Sequence, residues 1–231
     1  MAPTIVLITG ANRGIGKGLL EKYLARPNHT VIGTVRDPDH ELSKALASLP
    51  KANGSSLVLI KFDITVKTDG LEAVKQLETQ GIDHLDVIIA NAGVCFAWPK
   101  VSKIKVEDIE GHYMPNVHSL IFTYQATLPL LKKSKNSKWI TISSSYSTSK
   151  VVAHWLTKAI HREEPELVAF PIDPGWVQTD LGNNGAHYFG HEQAPLKVED
   201  VTEGIVKVVD SATRDSHGGK LIQWDGVVLP W

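Results

Sequence analysis

Short apolar runs alternate with segments of helical periodicity along most of the chain. Most of these runs are apolar at successive positions, which is typical of strands in a parallel sheet that is covered on both faces. The predicted strands are TIVLIT (4–9), HTVIGTVR (29–36), SSLVLIKFD (55–63), LDVIIANAG (85–93), KWITISSS (138–145), LVAFPIDPG (167–175) and KLIQWDG (220–226). The predicted helices are GKGLLEKYLA (16–25), the stretch 106–132, YSTSKVVAHWLTKAIHRE (146–163) and VEDVTEGIVKVVDSA (198–212).

This alternation predicts an α/β fold with a Rossmann-type, doubly wound parallel β-sheet and helices on both faces. No repeat or linker interrupts the pattern, so residues 1–231 are predicted to form a single domain. The segment 182–195, GNNGAHYFGHEQAP, is polar, contains glycine and has no period. We predict that this segment is a mobile flap over a substrate site.

Composition narrows the class of protein. The 231 residues carry a formal net charge of −1, which gives no electrostatic reason to bind nucleic acid or an anionic membrane. No apolar run approaches the roughly 18 residues of a spanning helix, and the N-terminal MAPTIVLITG lacks the basic segment of a signal peptide. Cys95 is the only cysteine, which excludes an internal disulfide and favours a reducing compartment, the cytoplasm. With so few thiols and no H-E-x-x-H spacing, no metal site is predicted.

Three glycines follow the first predicted strand. Gly10, Gly14 and Gly16 lie in TGANRGIG, between the strand TIVLIT and the first predicted helix. Glycines in a strand–turn–helix unit permit a tight turn and a close approach of the backbone to a pyrophosphate, whose charge then lies at the helix N-terminus. The pattern therefore predicts a dinucleotide site, although its spacing, G-x-x-x-G-x-G, differs from the more common G-x-G-x-x-G.

The turn T-G-x-x-x-G-I-G resembles the cofactor turn of the short-chain dehydrogenase/reductase family, and further motifs follow in the order found in that family. These are Asp63 at the end of strand three, Asn91-Ala92-Gly93 after strand four, Asn116 in the fourth helix, Tyr146-x-x-x-Lys150, and DPGWVQTD (173–180). DPGWVQTD and the ending QWDGVVLPW are similar to segments of carbonyl-reductase-like members and of fungal ketoreductases of secondary metabolism.

The resemblance implies a set of cofactor-binding and catalytic residues. The cofactor-binding positions are Gly10, Asn12, Arg13, Gly14, Ile15, Gly16, Arg36, Asp63, Asn91, Ala92, Gly93, Tyr146, Lys150, Pro174, Gly175, Val177 and Thr179. The implied catalytic residues are Tyr146, Lys150, Ser144 and Asn116. In the family the tyrosine is the acid that protonates the substrate oxygen, and the lysine lowers the tyrosine pKa. The serine polarises that oxygen, and the asparagine holds a water that relays protons to the lysine.

The end of the second strand predicts which nicotinamide cofactor is used. An acidic residue there would bind the adenosine ribose of NAD, but the position holds Val35, followed by Arg36. Arg36 and Arg13 could together bind a 2′-phosphate through their guanidinium groups. The sequence therefore favours NADP(H). Asp37 is expected to point away from the cofactor.

Two residues after the sixth strand are candidate substrate contacts. Asp173 places an unusual charge at a strand end, and Trp176 follows the Pro-Gly turn, where it is expected to line the pocket. Trp98, by contrast, is expected to belong to the core. Pro115 departs from the family pattern and is expected to disturb the helix beside Asn116.

The spacing between Ser144 and Tyr146 is shorter than in the family. One residue separates them here, whereas about a dozen residues separate the equivalent pair in the family. One extended residue spans only ~3.3 Å, too little to leave a strand, turn and enter a helix. Either the loop is lost and the site altered, or the sequence omits a segment. Because the motifs resume in phase on both sides, we favour the omission and predict a broken backbone between these two residues.

The main functional prediction is an NADPH-dependent reductase of a carbonyl on a bulky, secondary-metabolite-like small molecule. One alternative is an imine or iminium reductase of alkaloid biosynthesis, in which a carboxylate such as Asp173 stabilises the cation. A second alternative, from another class, is a non-catalytic NADP-binding regulator, against which the presence of Tyr146, Lys150 and Asn116 argues. The resemblance also implies a homo-oligomer, a dimer or a tetramer.

Overall fold

The computed structural model describes residues 2–144 and 147–230, and within them eight strands form one sheet in the order β3-β2-β1-β4-β5-β6-β7-β8. All neighbouring strands are parallel except β8, which pairs antiparallel with β7. The strands are β1 (Thr4–Thr9), β2 (His29–Val35), β3 (Ser56–Lys61), β4 (Val87–Ala90), β5 (Lys138–Ile142), β6 (Val168–Asp173), β7 (Leu221–Gln223) and β8 (Val228–Leu229). The predicted doubly wound α/β fold is confirmed.

Helices cover both faces of this sheet. Among the described residues they are α1 (Gly14–Leu24), α2 (Glu41–Lys44), α3 (Asp69–Thr79), α4 (Val106–Tyr113), α5 (Ser119–Leu131), α6 (Thr148–Glu163), α7 (Asp180–Tyr188), α8 (Val198–Ser211) and α9 (Arg214–His217). Successive residues of β1 enter different cores. Val6 and Ile8 pack with α1 and α8, while Ile5 and Leu7 pack with α3, α5 and α6. This explains the continuous apolar runs, because both faces of the central strands are buried.

The predicted helix over 106–132 is interrupted at its centre. α4 and α5 are joined by a π-helical turn, Met114–His118, which contains Pro115 and Asn116. Proline has no N–H to donate to the helix ladder, so a widened turn forms where the ladder is broken. The expectation that Pro115 disturbs the helix is confirmed, and the disturbance lies at Asn116 itself.

Several elements differ from the prediction. α3 and β8 were not predicted, and α6 begins at Thr148 instead of residue 146. Half of the segment 182–195, in which the sequence shows no period, belongs to α7, and its role as a mobile flap stays a prediction. The cap of this helix explains the difference, since the side chain of Thr179 accepts a hydrogen bond from the backbone N–H of Gly182 at 3.1 Å.

Across the described part of the chain, no helix is both long enough and apolar enough to cross a membrane.

The core on the α1 and α8 side should depend strongly on Phe170 of β6, whose side chain is 0% exposed. Phe170→Ala leaves a cavity between the sheet and its covering helices, and we expect a loss of about 3–5 kcal/mol in the free energy of unfolding. Urea denaturation measures this loss. Phe189→Ala is the matched control, because Phe189 is 56% exposed and its removal should cost about 1 kcal/mol or less. Equal losses in the two variants would contradict this assignment of the core.

Candidate active site

A cleft of about 1280 Å³ lies at the carboxyl ends of the parallel strands. This is where open α/β sheets bind their ligands. The sequence-predicted residues that line it are Gly10, Asn12, Arg13, Gly14, Ile15, Arg36, Asp63, Asn91, Ala92, Gly93, Ser144, Lys150, Asp173, Pro174, Gly175, Trp176, Val177 and Thr179. These residues lie at or after the ends of six different strands, β1 to β6, and the structure brings them into one cleft.

The β1–α1 turn is held by a close approach that only glycine permits. An ideal Cβ at Gly16 would lie 2.2 Å from Gly10 O and 2.5 Å from the Asn91 side-chain nitrogen. Asn91 Nδ2 donates hydrogen bonds to Thr9 O at 2.9 Å and to Gly10 O at 3.3 Å. Gly16 and Asn91 therefore shape the cleft by fixing the turn, and Gly10 reverses the chain at φ +66°.

The N-terminus of α1 is suited to an anion. Arg13 precedes the helix and makes no side-chain cap, and the first turn contains no acidic residue. The first N–H groups of a helix have no partner within it, and they carry the positive end of the helix dipole. Because Gly14 and Ile15 line the cleft, this end of the helix faces the space where an anion could bind.

Two arginines border this end of the cleft. Arg13 Nη1 forms an ion pair with Asp180 Oδ2 at 3.2 Å, and both side chains are exposed. Arg36 is also exposed.

Two acidic residues lie near these arginines. Burial raises the pKa of Asp63, but hydrogen bonds from Thr65 and the positive charge of Arg36 outweigh this effect, so the pKa of Asp63 is lowered. Asp37, expected to point away, also lines the cleft, and its Oδ1 accepts a hydrogen bond from Asp39 N at 2.9 Å.

Lys150 brings a buried ammonium group to the opposite side of the cleft. Its Nζ donates a hydrogen bond to Ile142 O, at the end of β5, at 3.0 Å. Burial lowers the pKa of Lys150 from 10.5 to about 8, against the opposing charges of Cys95 and Asp173. A lysine with such a pKa exchanges protons near neutral pH, as an acid–base group requires.

Asn116 is fixed beside Lys150 by the π-helical turn. Its Oδ1 accepts a hydrogen bond from Val94 N at 2.8 Å, and its Nδ2 donates to Val94 O at 2.9 Å and to Ser149 Oγ at 3.0 Å. A separate void of about 10 Å³ is lined by both Asn116 and Lys150. This volume is at the lower end of the ~10–15 Å³ that a cavity needs to hold one water.

Ser144 lines the cleft two residues after the end of β5 and is 7% exposed. Ser147, in an extended conformation, precedes α6, which begins at Thr148. Ser145 and Tyr146 lie outside the described residues. The place of Tyr146 in the site, and the predicted break between Ser144 and Tyr146, therefore remain predictions.

Asp173 and Trp176 both reach the cleft, as the sequence predicted. Asp173 is 9% exposed, and its Oδ1 accepts a hydrogen bond from Gly175 N at 2.8 Å. Burial raises the pKa of Asp173, although the Gly175 bond and the charge of Lys150 oppose this effect. Trp176 Nε1 donates to Gly182 O at 2.8 Å, which fixes the indole against α7.

Other lining residues were missed by the sequence reasoning. Trp98, assigned there to the core, lines the cleft together with Gly185 and Phe189 of the α7 region. Trp98 stands five residues after the N-A-G motif, in the loop that leaves β4 at the cleft edge. That position was the signal that could have identified it. No group of three or more histidine, cysteine, aspartate or glutamate side chains with the geometry of a metal site occurs in residues 2–144 and 147–230.

Residues 4–187 match the model of the short chain dehydrogenase family, so the chain belongs to that family. The chain is 38% identical to norsolorinic acid ketoreductase nor1 of Dothistroma septosporum, over 99% of this chain and 92% of the relative. It is 36% identical to the norsolorinic acid ketoreductase of Aspergillus parasiticus, over 99% and 91%. Among solved structures, NADPH-bound carbonyl reductase from chicken fatty liver superposes with a TM-score of 0.86 at 26% identity, covering 100% of both chains.

The Dothistroma enzyme is longer in the aligned region. The alignment with the Dothistroma enzyme extends over 249 residues, whereas this chain has 231, so at least 18 positions of the alignment hold no residue of this chain. The residues that are missing between Ser144 and Tyr146, relative to the family, would fit within this difference.

Burial of Lys150 should make stability depend on pH in a defined window. Its pKa is about 8 in the folded chain. In the unfolded chain the group is exposed to water, and its pKa is the ordinary 10.5. Between these values the unfolded chain binds more protons, so the free energy of unfolding should rise with pH. Urea unfolding of the wild type and of Lys150→Met, from about pH 7 to pH 11, measures the contribution of this group. We expect the wild type to gain stability relative to the variant over that window. A difference that stays constant with pH would contradict the lowered pKa.

Proposed function

We propose that the protein is an NADPH-dependent reductase that converts a ketone or aldehyde group of a bulky, secondary-metabolite-like molecule into an alcohol. One observation carries this proposal. The cleft joins an uncapped helix N-terminus, suited to a pyrophosphate, to a buried lysine with a pKa of about 8. Two relatives are named as norsolorinic acid ketoreductases, and one structural neighbour is an NADPH-bound carbonyl reductase, which supports the same activity and cofactor.

The residues of the cleft fit a nicotinamide dinucleotide with a 2′-phosphate. The first turn of α1 would hold the pyrophosphate, and Gly10 and Gly14, at φ +66° and +54°, leave room for it. Arg36, with Arg13, would hold the 2′-phosphate, and Val35 offers no carboxylate to the ribose. Asp63 would contact the adenine, and Thr179 the carboxamide. When bound, the dihydronicotinamide supplies a hydride to the carbonyl carbon.

The carbonyl oxygen must gain a proton as the carbon is reduced. We assign this transfer to Tyr146, with Lys150 lowering the tyrosine pKa by its charge. Ser144 would donate a hydrogen bond to the same oxygen. Asn116 would hold a water in the small void that it shares with Lys150. That water, through Lys150, would replace the proton that Tyr146 gives up.

Asp173 favours a second candidate, the reduction of an iminium ion. A buried carboxylate that lines the cleft could stabilise a cationic substrate, and hydride addition to an iminium ion gives a neutral amine without a proton donor. Burial raises the pKa of Asp173, which weakens this interpretation, because the same burial disfavours the charged form that a cation needs.

Cofactor preference should depend on Arg36. Arg36→Asp removes a ligand of the 2′-phosphate and adds an acceptor for a ribose hydroxyl, so we expect the dissociation constant to rise for NADPH and to fall for NADH. The change should amount to about 1.5–3 kcal/mol, as for charged hydrogen bonds. Lys61→Asp, which makes the same charge change outside the lining of the cleft, should leave the preference almost unaltered. The assignment fails if the Arg36 variant keeps the wild-type ratio of the two constants.

Two variants distinguish carbonyl from iminium reduction. Tyr146→Phe removes the proton donor and should lower kcat for a ketone by ~10²–10⁴, with NADPH binding unchanged. Asp173→Asn removes a charge but keeps the acceptor for Gly175 N, and it should change ketone turnover much less.

For an iminium substrate the pattern reverses, since only the carboxylate variant should then be slow. Steady-state NADPH consumption with aromatic and aliphatic ketones and with cyclic imines measures both activities. A Tyr146→Phe enzyme that reduces ketones at nearly the wild-type rate would refute the proposed function.

A further inference from the structure

Gly185 lies in the middle of α7 at a position where the backbone does not require glycine. Its φ is not positive, whereas Gly175 and Gly190 have φ of +69° and +80°. Gly182, one turn earlier, is required for another reason, because a Cβ there would lie 1.9 Å from Val177 O. Glycine weakens a helix interior relative to alanine, so its presence at Gly185 calls for another explanation.

The space beside Gly185 is bounded by two indole rings. An ideal Cβ at Gly185 would lie 3.5 Å from Trp98 Cε2 and Cζ2 and 3.7 Å from Trp176 Nε1, which are ordinary van der Waals contacts. A methyl group would therefore fit without displacing either ring, but any larger side chain would extend between them or into the cleft. Gly185, Trp98 and Trp176 all line that cleft.

Both indoles are held in place by contacts with the α7 region. Trp176 donates its N–H to Gly182 O, and its ring meets the rings of Phe189 and His191 edge-on, at 6.3 and 5.5 Å between centroids. The centroid of Trp98 lies 6.0 Å from that of Tyr188. Because the Trp176 N–H is already bonded, its indole offers a ligand mainly apolar surface.

We propose that Gly185 is a specificity-determining residue, which keeps open a slot between Trp98 and Trp176 for a flat, fused-ring part of the substrate. The proposal rests on the proposed function for the carbonyl that is reduced elsewhere in the same cleft. Indole rings bind planar rings by offset or edge-to-face contacts, which a flexible aliphatic chain cannot make as well. The absence of a side chain at Gly185 sets the depth to which such a ring can enter.

Binding tests the slot without any reduction. The probe is 2-acetylnaphthalene, a fused-ring methyl ketone, and its dissociation constant is measured by calorimetry with NADP⁺ present, so that no hydride is available. Gly185→Leu fills the slot and should weaken binding at least tenfold. Asn184→Leu is the matched control, because Asn184 lies on the exposed side of the same helix and should leave binding unchanged. Gly185→Ala should bind nearly as well as wild type, with an equal or higher melting temperature.

Turnover supplies the second measurement. We compare kcat/KM for 2-acetylnaphthalene and for 2-octanone, an acyclic methyl ketone. Gly185→Leu should lose at least tenfold for the fused-ring ketone and less than threefold for the acyclic one. Equal losses for both ketones, or unchanged binding of 2-acetylnaphthalene to Gly185→Leu, would overturn the slot. Wild-type protein that binds the fused-ring ketone but reduces neither ketone would instead refute the proposed function and leave the slot supported.

Discussion

The close approach of the β1–α1 turn to the end of β4 is the constraint on which the cleft depends. Gly10 O and the Asn91 amide occupy the space where a side chain at residue 16 would stand, and they are joined by a hydrogen bond of 3.3 Å. Two strand ends and the start of α1 are therefore fixed as one unit. Since α1 begins there without a side-chain cap or an acidic residue, the geometry that permits the turn also leaves its first N–H groups available to an anion.

A second constraint acts across the cleft, where a charge is kept out of water. Lys150 is held by the carbonyl of Ile142, and its lowered pKa reflects the cost of burying an ammonium group. The neighbouring Asn116 satisfies both main-chain groups of Val94, a residue that follows the N-A-G motif. It can do so because Pro115 opens the helix into a π-helical turn. A buried charge and an irregular helix turn thus lie together at the site of the proposed chemistry.

The sequence predicted those parts of the fold that follow from continuous burial. The seven parallel strands were recognised from their mostly continuous apolar runs, and the glycine turn from its place between a strand and a helix. α7 was missed because its residues, DLGNNGAHY, have poor intrinsic helix propensity. It forms through the local Thr179 cap, which the sequence reasoning did not use, and through packing against Trp98 and Trp176, which no local pattern shows. For the same reason Trp98 was assigned to the core, since its partner in the cleft wall was not recognised as a helix.

α7 also connects the two halves of the cleft. Asp180, its first residue, pairs with Arg13 beside the glycine turn, while Gly185, one and a half turns later, lies between the indoles. The ion pair is exposed on both sides, so it contributes roughly 0–1 kcal/mol, less than the charge-assisted bonds that a phosphate would offer the same guanidinium. Arg13 can therefore leave Asp180 for a phosphate at little cost. The Thr179 cap and the Trp176–Gly182 bond do not involve Arg13, so α7 would keep its place as the wall of the proposed slot if Arg13 changed partner.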